Sequence, residues 1–285
     1  MSRDVYSWGM ATDARNGRTN PEDLVLGSHV DAADPVGGAR ERGARVAQFF
    51  LSDPQSWTPP SVVYPGGAQA LRADADAAWV GLYVHAPYVI NVASLNNRIR
   101  IPSRKLLQQT LTLAAACGAL GVVVHGGHVT ADDDPAVGYD NWRKAVDGLD
   151  LPVPLLIENT AGGKHSMVRF LEGISMLWEA VSTARGAERV GLCLDTCHAH
   201  AAGLELVGLT ERVRAITGRI DLVHANDSRD GFGSGADRHA NLGQGQADPV
   251  GLRDVVETAG CPAIVETPGE PAAQAADIAW LRAGA

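Results

Sequence analysis

The sequence predicts a single (β/α)₈ barrel, a TIM barrel with its site at the C-terminal face of the strands. Three observations predict it. Short runs rich in Val, Ile and Leu alternate with longer helix-like stretches. The runs are apolar throughout, as strands are when a parallel sheet is covered on both faces. And they end, one after another, in His, Asp or Glu: GLYVH in His85, GVVVH in His125, PLLIE in Glu158, GLCLD in Asp195, LVH in His224 and AIVE in Glu266. Parallel barrels carry their sites at the C-terminal strand ends, so this series feeds one site from many strands. An open doubly wound sheet would gather its polar residues at one switch point instead.

In chain order, the expected strands cover residues 24–30 (with His29 near the end), 46–51, 81–85, 121–125, 154–158, 190–195, 222–224 and 263–266. A helix is expected over 104–117, with Leu106, Leu107, Leu111 and Leu113 at helical spacing and Ser103 as its N-cap. Further helices are expected over 166–184, 205–217 and 249–259. The glycine-rich stretch 227–246, led by Asn226, reads as a long functional loop between the seventh and eighth strands. No linker, low-complexity run or repeat divides residues 24–285, which are expected to form one domain. Residues 1–23 are expected to be a flexible tail.

Of the 285 residues, 45% are hydrophobic and 20% charged, the balance of a soluble chain with a large core. No run of about 18 apolar residues exists to span a membrane. The polar N-terminal stretch lacks the apolar segment of a secretory signal. Cys117, Cys193, Cys197 and Cys261 are too few for a disulfide framework in a chain of this length, so a cytoplasmic, reducing setting is expected. The net charge of −9 argues against a nucleic-acid partner. The argument weakens if Glu158, Asp195, Asp237 and Glu266 are neutralised by divalent cations, which would themselves attract phosphate.

Two pairs extend the strand-end series. Asp195 and His198, in DTCH, are three apart just past a strand end. Asp237 and His239, in DRH, are two apart, which in an extended segment puts both on one side. The candidate ligands are then His85, His125, Glu158, Asp195, His198, His224, Asp237, His239 and Glu266. Three four-coordinate ions, each with three protein ligands and a water, would need about this many, with a carboxylate bridging. Imidazole-rich ligation favours zinc, with manganese or iron as substitutes. Cys193 sits within a strand pattern and reads as packing, and Cys197 as a lesser alternative ligand. His128 is close enough to His125 to hydrogen-bond behind it. His165 and His200 fall in helical regions and read as surface residues.

The motifs HAPYVINVAS (from His85), VVHGGH (from Val123), IENTAGG (from Ile157), CLDTCHAHAAG (from Cys193), HANDS (from His224), DRHANLGQG (from Asp237) and VETP (from Val265) together resemble the endonuclease IV family of DNA-repair enzymes, the type 2 AP endonucleases. The resemblance implies a barrel with three zinc ions that cleaves damaged double-stranded DNA on the 5′ side of abasic sites. Products would be a 3′-hydroxyl and a 5′-deoxyribose phosphate, with 3′-end cleaning besides. It implies His85, His125 and Glu158 at one ion, with Glu158 bridging to a second held by Asp195, His224 and Glu266. His198, Asp237 and His239 would hold the third. Glu158 would be the catalytic residue, orienting the attacking hydroxide. Tyr88 matches a side chain that the family inserts into the DNA. Gln55, in SDPQSW, stands near where many members carry an arginine. Asn96, Asn97, Arg98 and Arg100, in LNNRIR, with Arg229 and Arg238, are the expected phosphate contacts. The enzyme is expected to act as a monomer. The alternative is a sugar isomerase or epimerase with one ion on Glu158, Asp195, His224 and Glu266, which leaves the other five candidates without a task.

Overall fold

The computed structural model describes residues 18–284. Eight parallel strands close into a barrel: β1 (Leu26–His29), β2 (Val46–Phe50), β3 (Gly81–His85), β4 (Gly121–His125), β5 (Leu155–Glu158), β6 (Val190–Asp195), β7 (Leu222–His224) and β10 (Ala263–Val265), with β10 pairing back onto β1. Between β7 and β10, β8 (Asp227–Ser228) and β9 (His239–Ala240) form a two-stranded antiparallel ladder. The helices are α1 (Pro35–Glu41), α2 (Gly67–Ala78), α3 (Asn97–Ala116), α4 (Pro135–Gly148), α5 (Leu171–Val181), α6 (Thr196–Ala202), α7 (Leu209–Thr217), α8 (Pro249–Ala259) and α9 (Pro271–Arg282).

Strand pleat sorts the side chains into two cores. One lies between the strands and the helices. The other gathers Val25, Val46, Tyr83, Val123, Leu156, Cys193, Leu222 and Ile264, one residue from each barrel strand or its lead-in. Because successive side chains alternate between faces, the residue two further along each strand points the same way. Those residues are Gln48, His85, His125, Glu158, Asp195, His224 and Glu266 on seven of the eight strands. A polar ring therefore stands directly on an apolar plug. Cys193 belongs to the plug, and all four cysteines are free and buried.

Several element boundaries differ from the sequence expectation. α3 starts at Asn97, seven residues early, capped by the Asn96 side chain, which accepts from Arg98 N. Pro102 lies inside it and gives up one backbone bond near the exposed helix start. Ser103 is not the cap. It is fully buried, and its hydroxyl donates to Ile99 O and accepts from Asn91 N at 2.9 Å, which ties the segment after His85 to α3. α5 starts only at Leu171, so His165 lies in a half-buried turn rather than on a helix, and its carbonyl accepts from Val129 N. Of the expected tail, residues 1–17 lie outside the described residues. Residues 18–23 dock on the barrel: Arg18 pairs with Asp254 and Glu257, each at 2.7 Å, and Thr19 N bonds Glu257 O.

Candidate metal centre

The structure brings all nine candidate ligands together at the C-terminal mouth of the barrel. Six belong to the polar ring. Asp195 ends β6 and caps α6, and its Oδ1 accepts His198 N at 2.7 Å, so that its Oδ2 and the His198 ring both face the mouth. Asp237 comes from the β8–β9 loop and His239 opens β9, and this hairpin is pinned at its base and along its loop. The buried Asp227 carboxylate accepts from the backbone N–H of Ser228, Gly243, Gly245 and Ala247 at 2.7–3.0 Å. The carbonyls of His200 and Ala201 in α6 accept from Gly233 and Gly235. Gly235 has φ 72°, and a Cβ on the facing Gly162 would sit 2.0 Å from its carbonyl oxygen, so both positions need glycine.

Donor chemistry decides whether this cluster suits a metal. Four of the imidazoles spend one nitrogen on a neutral acceptor: His85 Nδ1 on Ala86 O (2.7 Å), His198 Nδ1 on Asn159 O (2.8 Å), His239 Nδ1 on Glu266 O (3.3 Å) and His224 Nε2 on Gln48 Oε1 (2.9 Å). A neutral imidazole has one N–H, so the opposite nitrogen of each then carries a lone pair. Those nitrogens point at carboxylates. His85 Nε2 lies 3.2 Å from Glu158 Oε2, His224 Nδ1 lies 3.0 Å from Glu158 Oε1 and 3.2 Å from Glu266 Oε2, and His198 Nε2 and His239 Nε2 each lie 3.2 Å from Asp237 Oδ1. His239 Nε2 is buried with no hydrogen-bond partner. Lone pairs facing lone pairs need a cation between them. Tetrahedral ligands at about 2.1 Å from an ion stand about 3.4 Å apart, close to these separations. The donors fall into overlapping groups: His85, His125 and Glu158; Glu158, Asp195, His224 and Glu266; Asp195, His198 and His239; and Cys197, Asp237 and His239. Glu158 divides its oxygens between two of them, with Oε2 toward His85 (3.2 Å) and His125 (3.4 Å) and Oε1 toward His224 (3.0 Å).

Without a metal, protons take the cation's place. Burial opposes charge on Glu158, but His224, His125 and the His198 bond outweigh it and hold its pKa well below the usual range. Glu266 and Asp237 are lowered in the same way, against burial, by His224 and by His198 with His239 respectively. His198, buried, is nonetheless raised well above 6.5 by Asp195 and Asp237. His239 is raised to about 9, again against burial, by Asp237, Asp195 and Glu266. His224 is raised as well, its burial outweighed by the Cys193 sulfur and the Glu266 and Glu158 carboxylates. Burial wins at His125, lowered to about 4, and at Asp195, which is raised.

Comparison with known proteins places the chain. Residues 37–284 match the family model described as xylose isomerase-like TIM barrel. A protein of Mycobacterium marinum named probable endonuclease 4 is 51% identical over 259 residues, covering 91% of this chain and 98% of its own. The crystal structure of endonuclease IV from Thermus thermophilus superposes with a TM-score of 0.77 at 30% identity, covering 90% of this chain and 97% of that one. The chain belongs to the endonuclease IV family. A D-tagatose 3-epimerase-like protein superposes at 0.70 with 18% identity, covering 91% and 97%, and shares the barrel alone.

Sequence reading missed the amides that hold the carboxylates of this candidate centre. Asn159 Oδ1 accepts Asp195 N and its Nδ2 donates to Asp195 O. Asn226 is fully buried; its Nδ2 donates to Asp195 Oδ2 (2.7 Å) and Glu266 Oε2 (3.3 Å), and its Oδ1 accepts Glu266 N (2.8 Å). Their only signal was an asparagine one or two residues beyond a strand end, amid ligands. His200 is buried rather than on the surface, and its Nε2 bonds Asp230 O at the root of the β8–β9 loop. The partner of exposed His128 is Asn91. Cys197 stands within reach of Asp237 and His239, with burial raising its thiol pKa to about 12.

A cavity of about 700 Å³ opens beside the centre, and Trp57, Tyr88 and Ile99 line it together with His125, His198 and Asp237. Tyr88 is half exposed and lies flat on His125, with ring centroids 5.3 Å apart at 20°. Its N–H bonds Pro54 O, which joins its loop to the one that exposes Gln55. Trp57, from the same loop as Gln55, was not singled out from sequence. Asn97 and Arg98 are exposed beside the Asn96 cap, whereas Arg100 turns back onto the Ser94 and Leu95 carbonyls. Arg229 and Arg238 are exposed on the β8–β9 loop; Arg229 donates to His239 O and Arg238 pairs with Asp230.

Proposed function

We propose that this endonuclease IV-family chain hydrolyses the phosphodiester on the 5′ side of abasic sites in duplex DNA, leaving a 3′-hydroxyl and a 5′-deoxyribose phosphate, and cleans blocked 3′ ends. The observation that carries the reading is the pair of Glu158 oxygens, Oε2 facing His85 and His125 and Oε1 facing His224. That arrangement suits a carboxylate shared between two ions. Three ions fit the donors: one on His85, His125 and Glu158, one on Glu158, Asp195, His224 and Glu266, and one on His198, Asp237 and His239. Zinc is favoured by the imidazoles, with Mn²⁺ or Fe²⁺ as substitutes. Bound there, such ions would supply water acidified to near neutral pH and positive charge against phosphate oxygens.

The chain's own residues do the rest. Glu158, catalytic in this reading, holds the attacking oxygen in line through its carboxylate oxygens and can take its proton. Tyr88, backed by His125, fills the gap left by the missing base, with Gln55 beside it in place of an arginine wedge. Asn96, Arg98, Arg229 and Arg238 meet the phosphates; Arg238 would exchange Asp230 for one. The net charge of −9 counts Glu158, Asp195, Asp237 and Glu266, so loading the centre removes much of the repulsion toward DNA. Among the described residues no helix is long and apolar enough to cross a membrane. We place the enzyme in the cytoplasm, acting as a monomer. The test is incision of a duplex oligonucleotide carrying one abasic analogue, with undamaged duplex as control and metals counted per chain. Incision 5′ to the analogue, persisting in EDTA, with about three zinc per chain is expected. No incision with a single ion per chain would favour an isomerase and overturn the reading.

A further inference from the structure

Six members of the polar ring above the apolar plug are imidazoles or carboxylates of the metal centre. The seventh, Gln48 in β2, is neither, yet it is fully buried among them. Its amide touches two ligands of one ion set: Nε2 donates to Glu266 Oε1 at 2.6 Å, and Oε1 accepts from His224 Nε2 at 2.9 Å. We propose that Gln48 is a positioning residue that fixes the tautomer of His224 and the orientation of Glu266, and so sets how tightly the Glu158, Asp195, His224 and Glu266 set holds its ion. The proposal rests on the metal reading above.

The chemistry leaves one arrangement. The Glu266 carboxylate has no proton to give, so the nitrogen end of the amide must face it. The oxygen end then faces His224 and can only accept, so the His224 proton sits on Nε2. The lone pair that remains on Nδ1 points at Glu158 Oε1 (3.0 Å) and Glu266 Oε2 (3.2 Å), where an ion would bind. Reversing the amide would press two oxygens together at 2.6 Å. The second amide hydrogen points at His29 Nδ1, 3.1 Å away, whose ring rests against Phe50. Outer partners of this kind orient ligands and raise their basicity, and their loss weakens metal affinity roughly 10–100-fold.

Two variants test this. Gln48→Leu keeps volume and removes both bonds. Gln48→Glu keeps the acceptor for His224 but sets a carboxylate against Glu266. Zinc-loaded wild type and variants are mixed with a chromophoric chelator and release is followed per equivalent, beside the melting temperature of each metal-free protein. Both variants are expected to release one equivalent roughly 10–100-fold faster while the others keep wild-type rates. If Gln48→Leu does not fold, the isosteric Gln48→Glu carries the test. Wild-type release from both folded variants, or an equal acceleration of every equivalent with a lowered melting temperature, overturns the proposal and leaves the metal reading standing. A wild type that takes up no zinc overturns both.

Discussion

Asn226→Ala separates the framework of the centre from its ligands, because Asn226 contributes no donor to an ion. The side chain makes one strong bond to Asp195 Oδ2 at 2.7 Å, a longer one to Glu266 Oε2 at 3.3 Å, and caps Glu266 N at 2.8 Å, all in a fully buried place. A hydrogen bond to a charged group contributes about 1.5–3 kcal/mol, and the Glu266 N–H left without an acceptor costs about 1–3 kcal/mol. Together these predict a loss of about 2.5–6 kcal/mol in the metal-free protein. At about 2 °C per kcal/mol for a chain this large, the melting temperature should fall by roughly 5–12 °C. In the metal-loaded protein the loss should be smaller, because an ion also holds Asp195 and Glu266. Differential scanning calorimetry of metal-free and loaded forms measures both numbers. Equal drops in the two forms would show that Asn226 supports the barrel generally rather than the carboxylates. No drop in either would refute the argument that these bonds are what orient them.

Glu158→Gln removes the shared carboxylate charge and should abolish incision while circular dichroism shows the fold retained; substantial remaining activity would count against a bridging role. Loading the metal-free protein with zinc at pH 7 should release protons, because His198, His224 and His239 have raised pKa values and a ligand nitrogen must lose its proton. An indicator dye in weak buffer measures the release, which should shrink as pH climbs past about 9, the value for His239; none at pH 7 would sink the idea. The raised His239 pKa also stabilises the metal-free protein fully below its unfolded value of 6.5, and that contribution disappears as pH rises through about 9. Asp227→Ala strips the acceptor from the backbone N–H of Ser228 in β8 and of Gly243, Gly245 and Ala247 after β9, which together fix the base of the β8–β9 hairpin, so hydrogen exchange at Gly243, Gly245 and Ala247 should accelerate and zinc per chain should fall by one equivalent, the one nearest Asp237 and His239.

The barrel was legible because its strand periodicity is written in residue type. Val46, Tyr83, Val123, Leu156, Cys193, Leu222 and Ile264 each precede a ring residue by two positions, so apolar runs and their polar ends come from the same pleat. The clustering of the candidate ligands was legible for a related reason. A carboxylate such as Glu158, 1% exposed at the end of an apolar strand, is costly to bury without a cation or donors, and the cost marks the residue. Helices were less so. α2 buries only Leu71 and Ala75 along twelve residues, too narrow a stripe to read, and α6 is buried all round, which is why His200 passed for a surface residue.

The amides of the centre escaped for a physical reason that also explains their use. Gln48, Asn159 and Asn226 carry no charge, so their burial costs little once each end finds a partner, and nothing in the sequence marks the cost. Being neutral, they can lie against carboxylates without competing for the ions. Having a donor and an acceptor on one rigid group, each can tie a ligand to a second point: Asn159 holds both backbone groups of Asp195, Asn226 joins Asp195 to Glu266, and Gln48 joins Glu266 to His224. The three form a chain of fixed distances from β5 across the mouth to β2. Candidate ligands are therefore readable from chemistry that is costly to bury, whereas their orientation rests on chemistry that is cheap to bury and becomes visible only when the strands are assembled.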